Sequence, residues 1–244
     1  MTSPPGPAAA PVIAIDGPAG TGKSTTARRV AAQLGWTHVD SGAFYRVAAL
    51  LALRHGHALG DETGRAALRA ALFAARIGHQ AVGGQLHTWL GEEDVTAALR
   101  SPAVTRVVSE VAADAALRAI VNGALRRQVG GRPAVVDGRD IGTVVFPDAI
   151  LKVHLDASLE ERARRRAREA EPAERAADPA VLASYAQSLA ERDRADRERA
   201  TAPLVAARDA VHLDTSALDA DTQVARVLAL YAERRCLDEP LKSG

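Results

Sequence analysis

The sequence predicts an α/β fold: a five-stranded parallel sheet flanked by helices, with a small antiparallel insert and a helical, charged segment late in the chain. Three observations carry this expectation. Short apolar runs at residues 12–15, 37–39, 133–136, 149–155 and 210–213 alternate with stretches of helical period, the order that puts helices on both faces of a parallel sheet. Glycines 78, 83, 84 and 91 punctuate short alternating stretches containing Val82, Leu86, Trp89 and Leu90, which reads as a small antiparallel sheet. Residues 17–24 read Gly-Pro-Ala-Gly-Thr-Gly-Lys-Ser between the first apolar run and the first helical one, a strand–loop–helix arrangement.

Each element has its own justification. After the loop, Ala27, Val30, Ala31 and Leu34 repeat at helical spacing and Gly35 stands where the helix should stop. The strand at 37–39 leads into Asp40-Ser41-Gly42, and Phe44, Val47, Ala48 and Leu51 trace the apolar face of a second helix with Ser41 as its N-cap. A helix is expected over 61–75 and a long helical stretch over 102–129, with Asp114 a good cap inside it. The strand at 133–136 ends in Asp137-Gly138-Arg139-Asp140. A charged helix at 158–170 halts near Pro172, and Asp178-Pro179 starts a second that runs to about 199, proline fitting the first helical position. The last strand and a closing helix at 222–234 complete the chain, leaving residues 1–11 and 236–244 as tails.

Composition narrows the functional classes. Basic and acidic residues number 31 and 30 in 244, so a net charge of +1 offers no broad field for a nucleic-acid backbone or an anionic membrane. The single cysteine, Cys236, excludes an internal disulfide and suits a reducing compartment. Neither a signal peptide nor a membrane-spanning apolar run is present, so a cytoplasmic protein without nucleic-acid or membrane partners is expected, and a monomer.

The glycine-rich loop carries the clearest chemistry. Gly17, Pro18, Ala19, Gly20, Thr21, Gly22, Lys23 and Ser24, with Thr25 following, form a Gly-x-x-x-x-Gly-Lys-Ser/Thr motif. Its backbone N–H groups wrap a polyphosphate, the lysine reaches the β and γ phosphates, and the serine hydroxyl binds Mg²⁺. Lys23 is one of three lysines, with Lys152 and Lys242, in a chain whose cations are otherwise arginine.

Three further blocks follow in order: residues 40–46 (Asp-Ser-Gly-Ala-Phe-Tyr-Arg), residues 137–143 (Asp-Gly-Arg-Asp-Ile-Gly-Thr), and Glu191-Arg192-Asp193 with Asp196 and Arg199. With the loop, they make the chain resemble a bacterial-type cytidylate kinase over roughly residues 12–235. That resemblance implies a P-loop nucleoside monophosphate kinase, transferring phosphate from ATP to CMP or dCMP with Mg²⁺. It also implies a core (12–60, 105–155, 200–235), an acceptor-binding insert (61–104) and a lid (158–199). Carried onto these positions, Ser41 and Arg46 meet the acceptor phosphate, Ser109, Arg118 and Asp140 read cytosine, and Arg139 lies near the phosphates. Arg192, Asp196 and Arg199 clamp sugar and phosphate. Lys23, Arg139, Arg192 and Arg199 take the catalytic roles, and Arg162, Arg165 and Arg166 are lid contacts. Ser24 binds the metal, with Asp40 a candidate contact through water.

The residues support part of this independently and leave part open. Ser41 opens a helix whose N-terminus can receive a phosphate, although it could equally serve as a plain cap with Arg46 solvated. Ser109 and Arg118, nine residues apart, fall on opposite sides of a straight helix and reach one base only if the helix breaks, most simply at Asp114. Arg192, Asp196 and Arg199 share one helix face at i, i+4, i+7, whereas Arg162 to Arg168 interleave with Glu160, Glu161 and Glu169 as any solvated helix does. Ala195 departs from the family, where a charged residue is common. Other readings are a P-loop kinase acting on UMP, dephospho-coenzyme A or shikimate, and an arginine-rich RNA-binding module. A GTP-dependent switch would need Asn-Lys-x-Asp, but the sole asparagine, Asn122, precedes glycine.

Overall fold

The computed structural model describes residues 10–83 and 85–238; the tail expectations for 1–9 and 239–244, and the turn glycine at 84, lie outside them. Five parallel strands form one sheet in the order β2-β6-β1-β7-β8: β1 (Val12–Asp16), β2 (Thr37–Asp40), β6 (Ala134–Gly138), β7 (Leu151–Asp156) and β8 (Val211–Asp214). β1 is central and wholly buried, as a strand covered on both faces must be. Its residues divide with period two. Val12 and Ala14 join Val39, Ala134 and Val136 on one face, beneath α2 (Ser41–His55), α4 (Pro102–Ala113) and α5 (Ala115–Val129). Ile13 and Ile15 join Val135, Leu151, Val153 and Leu155 on the other, beneath α1 (Lys23–Leu34) and α9 (Ala220–Asp238).

Between the second and fourth helices, α3 (Glu62–Ala74) is capped by Asp61, whose Oδ1 accepts the Gly64 N–H at 2.7 Å. The antiparallel strands β3 (Ile77–Val82), β4 (Gln85–Leu90) and β5 (Glu93–Asp94) follow. The long helical stretch is broken at Asp114, which is extended (φ −77°, ψ 117°) and caps α5 by accepting the Leu117 N–H at 2.8 Å. α6 (Leu159–Ala170), the short α7 (Ala173–Ala176) and α8 (Pro179–Glu198) lie between β7 and β8, with Ser158 and Asp178 as the side-chain caps of α6 and α8.

Two expected details change. The N-cap of the second helix is Asp40, not Ser41; both are good capping residues, and Ser41 already has helical geometry. Arg199 is the C-cap of α8 rather than part of it, with ψ 132°, although its guanidinium stays against Asp196, Nη1 3.6 Å from Oδ1. Among the described residues no helix is long and apolar enough to cross a membrane.

Candidate active site

The loop between β1 and α1 is built against its surroundings so tightly that side chains are excluded. Gly17 has φ 145° and an added Cβ would run into the Leu155 carbonyl; Gly22 has φ 91° and a Cβ would sit 2.7 Å from Gln223 Oε1. Only glycine takes these conformations without strain. Side chains then fasten the loop: Thr215 Oγ1 donates to the Thr21 carbonyl at 3.1 Å and Arg162 Nη1 to the Ala19 carbonyl at 3.2 Å. Lys23 is buried and its ammonium donates to the Pro18 carbonyl at 2.5 Å. Burial, and then the charge of Arg139, hold its pKa well below the ordinary lysine value, so this cation gains from any anion that reaches it.

Three carboxylates stand at the C-terminal ends of adjacent strands, where open α/β sheets bind ligands. Asp16 accepts the N–H groups of Ile141 and Gly142 at 2.8 and 2.7 Å, yet burial raises its pKa to about 6. Asp40 is likewise raised to about 6, by burial and then by the charge of Asp137. Burial also pushes Asp137 upward, but the hydrogen bond and charge of His38, the hydroxyl of Ser24 and the charge of Lys23 outweigh it and keep the carboxyl below its usual range. Ser24 donates to Asp137 Oδ2 at 2.6 Å, and His38 Nε2 is 2.8 Å from Oδ1. The carboxylate that reaches Ser24 is thus Asp137, whereas the sequence offers Ser24 for the metal with Asp40 as a candidate contact through water, and gives Asp137 a place in the 137–143 block but no ligand role. Among the described residues no three His, Cys, Asp or Glu are grouped to hold a metal by themselves. The hydroxyl of Ser24 and the carboxylate of Asp137 are hard oxygen donors. They fit Mg²⁺, which typically takes one or two carboxylates and completes its shell with waters and phosphate oxygens.

Across from the cradle lies a cluster of arginines. Arg139, which follows β6, donates from Nε to Asp196 Oδ2 at 2.9 Å, and Arg199 Nη1 is 3.6 Å from Asp196 Oδ1. Arg199 Nη2 also donates to the Ala202 carbonyl at 3.1 Å. Arg46, on α2, donates from Nη1 to the Leu99 carbonyl and to Thr105 Oγ1, each at 3.0 Å. Arg192 has no hydrogen bond or ion pair among the described residues, and its Nε is buried. Burial and then the charge of Arg139 lower its pKa to about 9, with Arg46 and Arg166 contributing. These cations therefore share one electrostatic neighbourhood that is short of counter-charge.

The expected base-reading set is half assembled. Arg118, buried on α5, pairs with Asp140, donates to the Ala112 carbonyl at 3.0 Å and lies 5.2 Å over the Tyr45 ring. Ser109 sits half-buried on α4 on the other side of the Asp114 break. Ser41 is buried beside Gly138, where a Cβ would strike its Oγ. Tyr45 was missed; its signal was an aromatic side chain one residue before Arg46.

The lid arginines divide. Arg162 is buried and takes Asp193 Oδ2 at 2.6 Å together with the Ala157 and Ala19 carbonyls, so its donors are engaged inside the protein. Arg165 bonds Glu161 at 3.1 Å and reaches Thr215 and Leu218. Arg162 thus ties α6 to the loop and to α8, and Arg165 ties α6 to the segment after β8. Arg166 differs: it pairs with Glu169 at 2.8 Å on the exposed side while its charge bears on Lys23, Arg46 and Arg192.

Comparison with known proteins agrees with this geometry. The family model described as cytidylate kinase matches residues 13–233. A cytidylate kinase of Pelotomaculum thermopropionicum is 44% identical over 225 residues, 92% of this chain and 97% of that protein. One from Stutzerimonas stutzeri is 44% identical over 231 residues, 92% and 96% of the two chains. A third, from Aeromonas salmonicida, is 42% identical over 238 residues, 95% and 98%.

Proposed function

This chain belongs to the cytidylate kinase family, and on that premise we propose that it transfers the terminal phosphoryl group of ATP to CMP, and to dCMP, in a cytoplasmic setting. The observation that carries the reading is Arg192: a half-buried guanidinium whose buried Nε has no partner among the described residues, beside Arg139 and within the field of Arg46 and Arg166. A stable fold tolerates such a group only at a cost, and a phosphate relieves it. The cradle of residues 17–24 holds the donor polyphosphate, with Lys23 exchanging the Pro18 carbonyl for phosphate oxygens. Arg46 and Ser41 receive the acceptor phosphate, and Arg139, Arg192 and Arg199 span the space between. Asp196, already flanked by Arg139 and Arg199, accepts from the sugar hydroxyls. Arg118 and Asp140, with Ser109, meet the cytosine edge. A site built to hydrogen-bond that edge discriminates strongly, because a wrong base leaves buried polar groups unpaired.

The chemistry asks for positioning and charge neutralisation rather than a general base. An acceptor phosphate oxygen is mostly ionised at pH 7, since a phosphate monoester has a second pKa of about 6. Ser24 and Asp137 would hold Mg²⁺ together with phosphate oxygens, and the ion would neutralise the β and γ charges. The core, an acceptor-binding insert around 61–104 and a lid around 158–199 divide the labour, and lid movement brings Arg166 and Arg192 to the transferring group while excluding water. A coupled ADP-release assay with CMP, dCMP, UMP and AMP tests the reading: turnover should be confined largely to CMP and dCMP. Equal rates with AMP would sink the base assignment, and no turnover with any of the four would sink the function.

A further inference from the structure

His38 belongs to none of the motifs above, yet it ends a chain of buried hydrogen bonds that leads to the metal side of the cradle. Its ring is 8% exposed and Asp137 beside it 3%. Nε2 lies 2.8 Å from Asp137 Oδ1, and the other carboxylate oxygen takes the Ser24 hydroxyl at 2.6 Å. Because an ionised carboxylate only accepts, Nε2 must carry the proton, and the Ser24 hydroxyl must give its hydrogen to Asp137. Both lone pairs of Ser24 are thereby left for another partner. Nδ1 of His38 is buried with no hydrogen-bond partner, and among the described residues the ring's one polar contact is the one to Asp137.

The bond from His38 matters because Asp137 has a like-charged neighbour. Asp40 is paired with Asp137 across β2 and β6, and each carboxylate disfavours the other's charge. An N–H donor on Oδ1 offsets that repulsion and fixes the plane of the carboxylate, leaving Oδ2 aimed at Ser24. Residues that hold a metal-binding carboxylate in this way are known to govern metal affinity by about 10- to 100-fold.

We propose that His38 is a positioning residue for divalent-cation binding, acting through Asp137 on the orientation of Ser24. This rests on the P-loop reading of residues 17–24 but not on the identity of the phosphoryl acceptor. The test is a Mn²⁺ titration followed by electron paramagnetic resonance, with a β,γ-imido ATP analogue bound, so that no turnover is needed. His38→Leu should weaken Mn²⁺ binding about 10-fold or more. His38→Gln, whose side-chain amide carries an N–H near the position of Nε2, should restore most of it. His38→Asn, polar but too short to reach Asp137, should behave like His38→Leu and carries the test if the leucine variant does not fold. In an Asp137→Asn background the His38 substitutions should have no further effect on Mn²⁺ binding. Wild-type Mn²⁺ affinity in His38→Leu or His38→Asn, with only the thermal midpoint lowered, would overturn the proposal and leave His38 a plain partner for a buried carboxylate. An undiminished effect in the Asp137→Asn background would overturn it as well. Absence of CMP turnover in the wild-type protein, with the expected Mn²⁺ pattern across the variants, would instead count against the acceptor assignment and leave this proposal standing.

Discussion

The loop at residues 17–24 and the arginine cleft facing it are built by opposite means. The loop is main chain held by main chain: left-handed glycines, a carbonyl under Lys23, and side chains from Thr215 and Arg162 that grip its carbonyls from behind. The cleft is made of long side chains from α2, α8 and the segments after β6 and α8, each resting on a partner that a phosphate can displace, except Arg192, which has none. The first region is preformed and the second must be rearranged. On the proposed assignment, the preorganised loop would grip the phosphates whatever nucleoside they carry, and selection of the acceptor would fall to the adjustable cleft.

The largest expected effect is at the preformed end. Lys23→Ala removes the one cation the loop holds in place, and kcat should fall about 10³-fold, in the range for loss of a preorganised charge-stabilising donor. Circular dichroism should show the fold intact, because Lys23 Nζ bonds only Pro18 and Thr21 within its own loop. Arg192→Ala comes next. It should lower kcat/KM for CMP about 100-fold and leave the thermal midpoint unchanged or slightly raised, since removing a half-buried cation that has no hydrogen bond or ion pair among the described residues breaks no polar contact and relieves repulsion from Arg139. A fall in the midpoint would mean that Arg192 is held by the protein, and the contrast between the two regions would go with it.

The same contrast explains how much could be read from the sequence. The loop is eight consecutive residues, so its motif survives in one dimension, and the helices and strands were legible because their apolar periods match the two faces of one sheet. The break at Asp114 was legible too, since a capping residue inside a helical period has few other uses. Asp137 was not, because the partner that reveals it, Ser24, is 113 positions away. Arg162 was not, because a buried pair with Asp193 and a surface ladder of i,i+4 charges have the same sequence pattern. Arg199 lies just past the end of α8, yet its guanidinium still meets Asp196, as its i, i+3 spacing from that carboxylate allows.

His79 offers a way to sharpen the comparison through pH. It joins β3 to the end of β2 and to α2, with Nε2 3.0 Å from the Asp40 carbonyl, Nδ1 3.2 Å from Thr88 Oγ1 and its ring edge-on to Phe44. Burial holds its pKa down to about 4, so the folded state stays neutral while the unfolded chain takes a proton below about 6.5. The linked stability is fully present above that value and is lost as pH falls toward 4, by on the order of 3 kcal/mol. Asp16 and Asp40, raised to about 6, act in the opposite sense, losing stability as pH rises through that value. Urea midpoints of wild type and His79→Gln between pH 7 and 4 should converge as pH falls, because only the wild type carries the histidine slope. Parallel curves would show that His79 is not buried neutral and that β3 is not fixed to β2 and α2 there.

The smallest effect is expected at Asp114, and it tests whether the adjustable side depends on local backbone as well as side chains. Its carboxylate caps α5 through the Leu117 N–H and lies 3.4 Å from Arg69. Asp114→Ala should cost about 1 kcal/mol in urea unfolding, the usual value of a cap, and Asp114→Asn much less, because asparagine caps as well. The capping turn also directs Arg118 back under α4, onto the Ala112 carbonyl and Asp140. Loosening it lets the helix axis straighten and moves Arg118 away from Ser109, so KM for CMP should rise a few-fold in the alanine variant while KM for ATP stays put. If both constants move together, the break serves packing alone, and the division between a preformed donor end and an adjustable acceptor end does not extend to the backbone of α4 and α5.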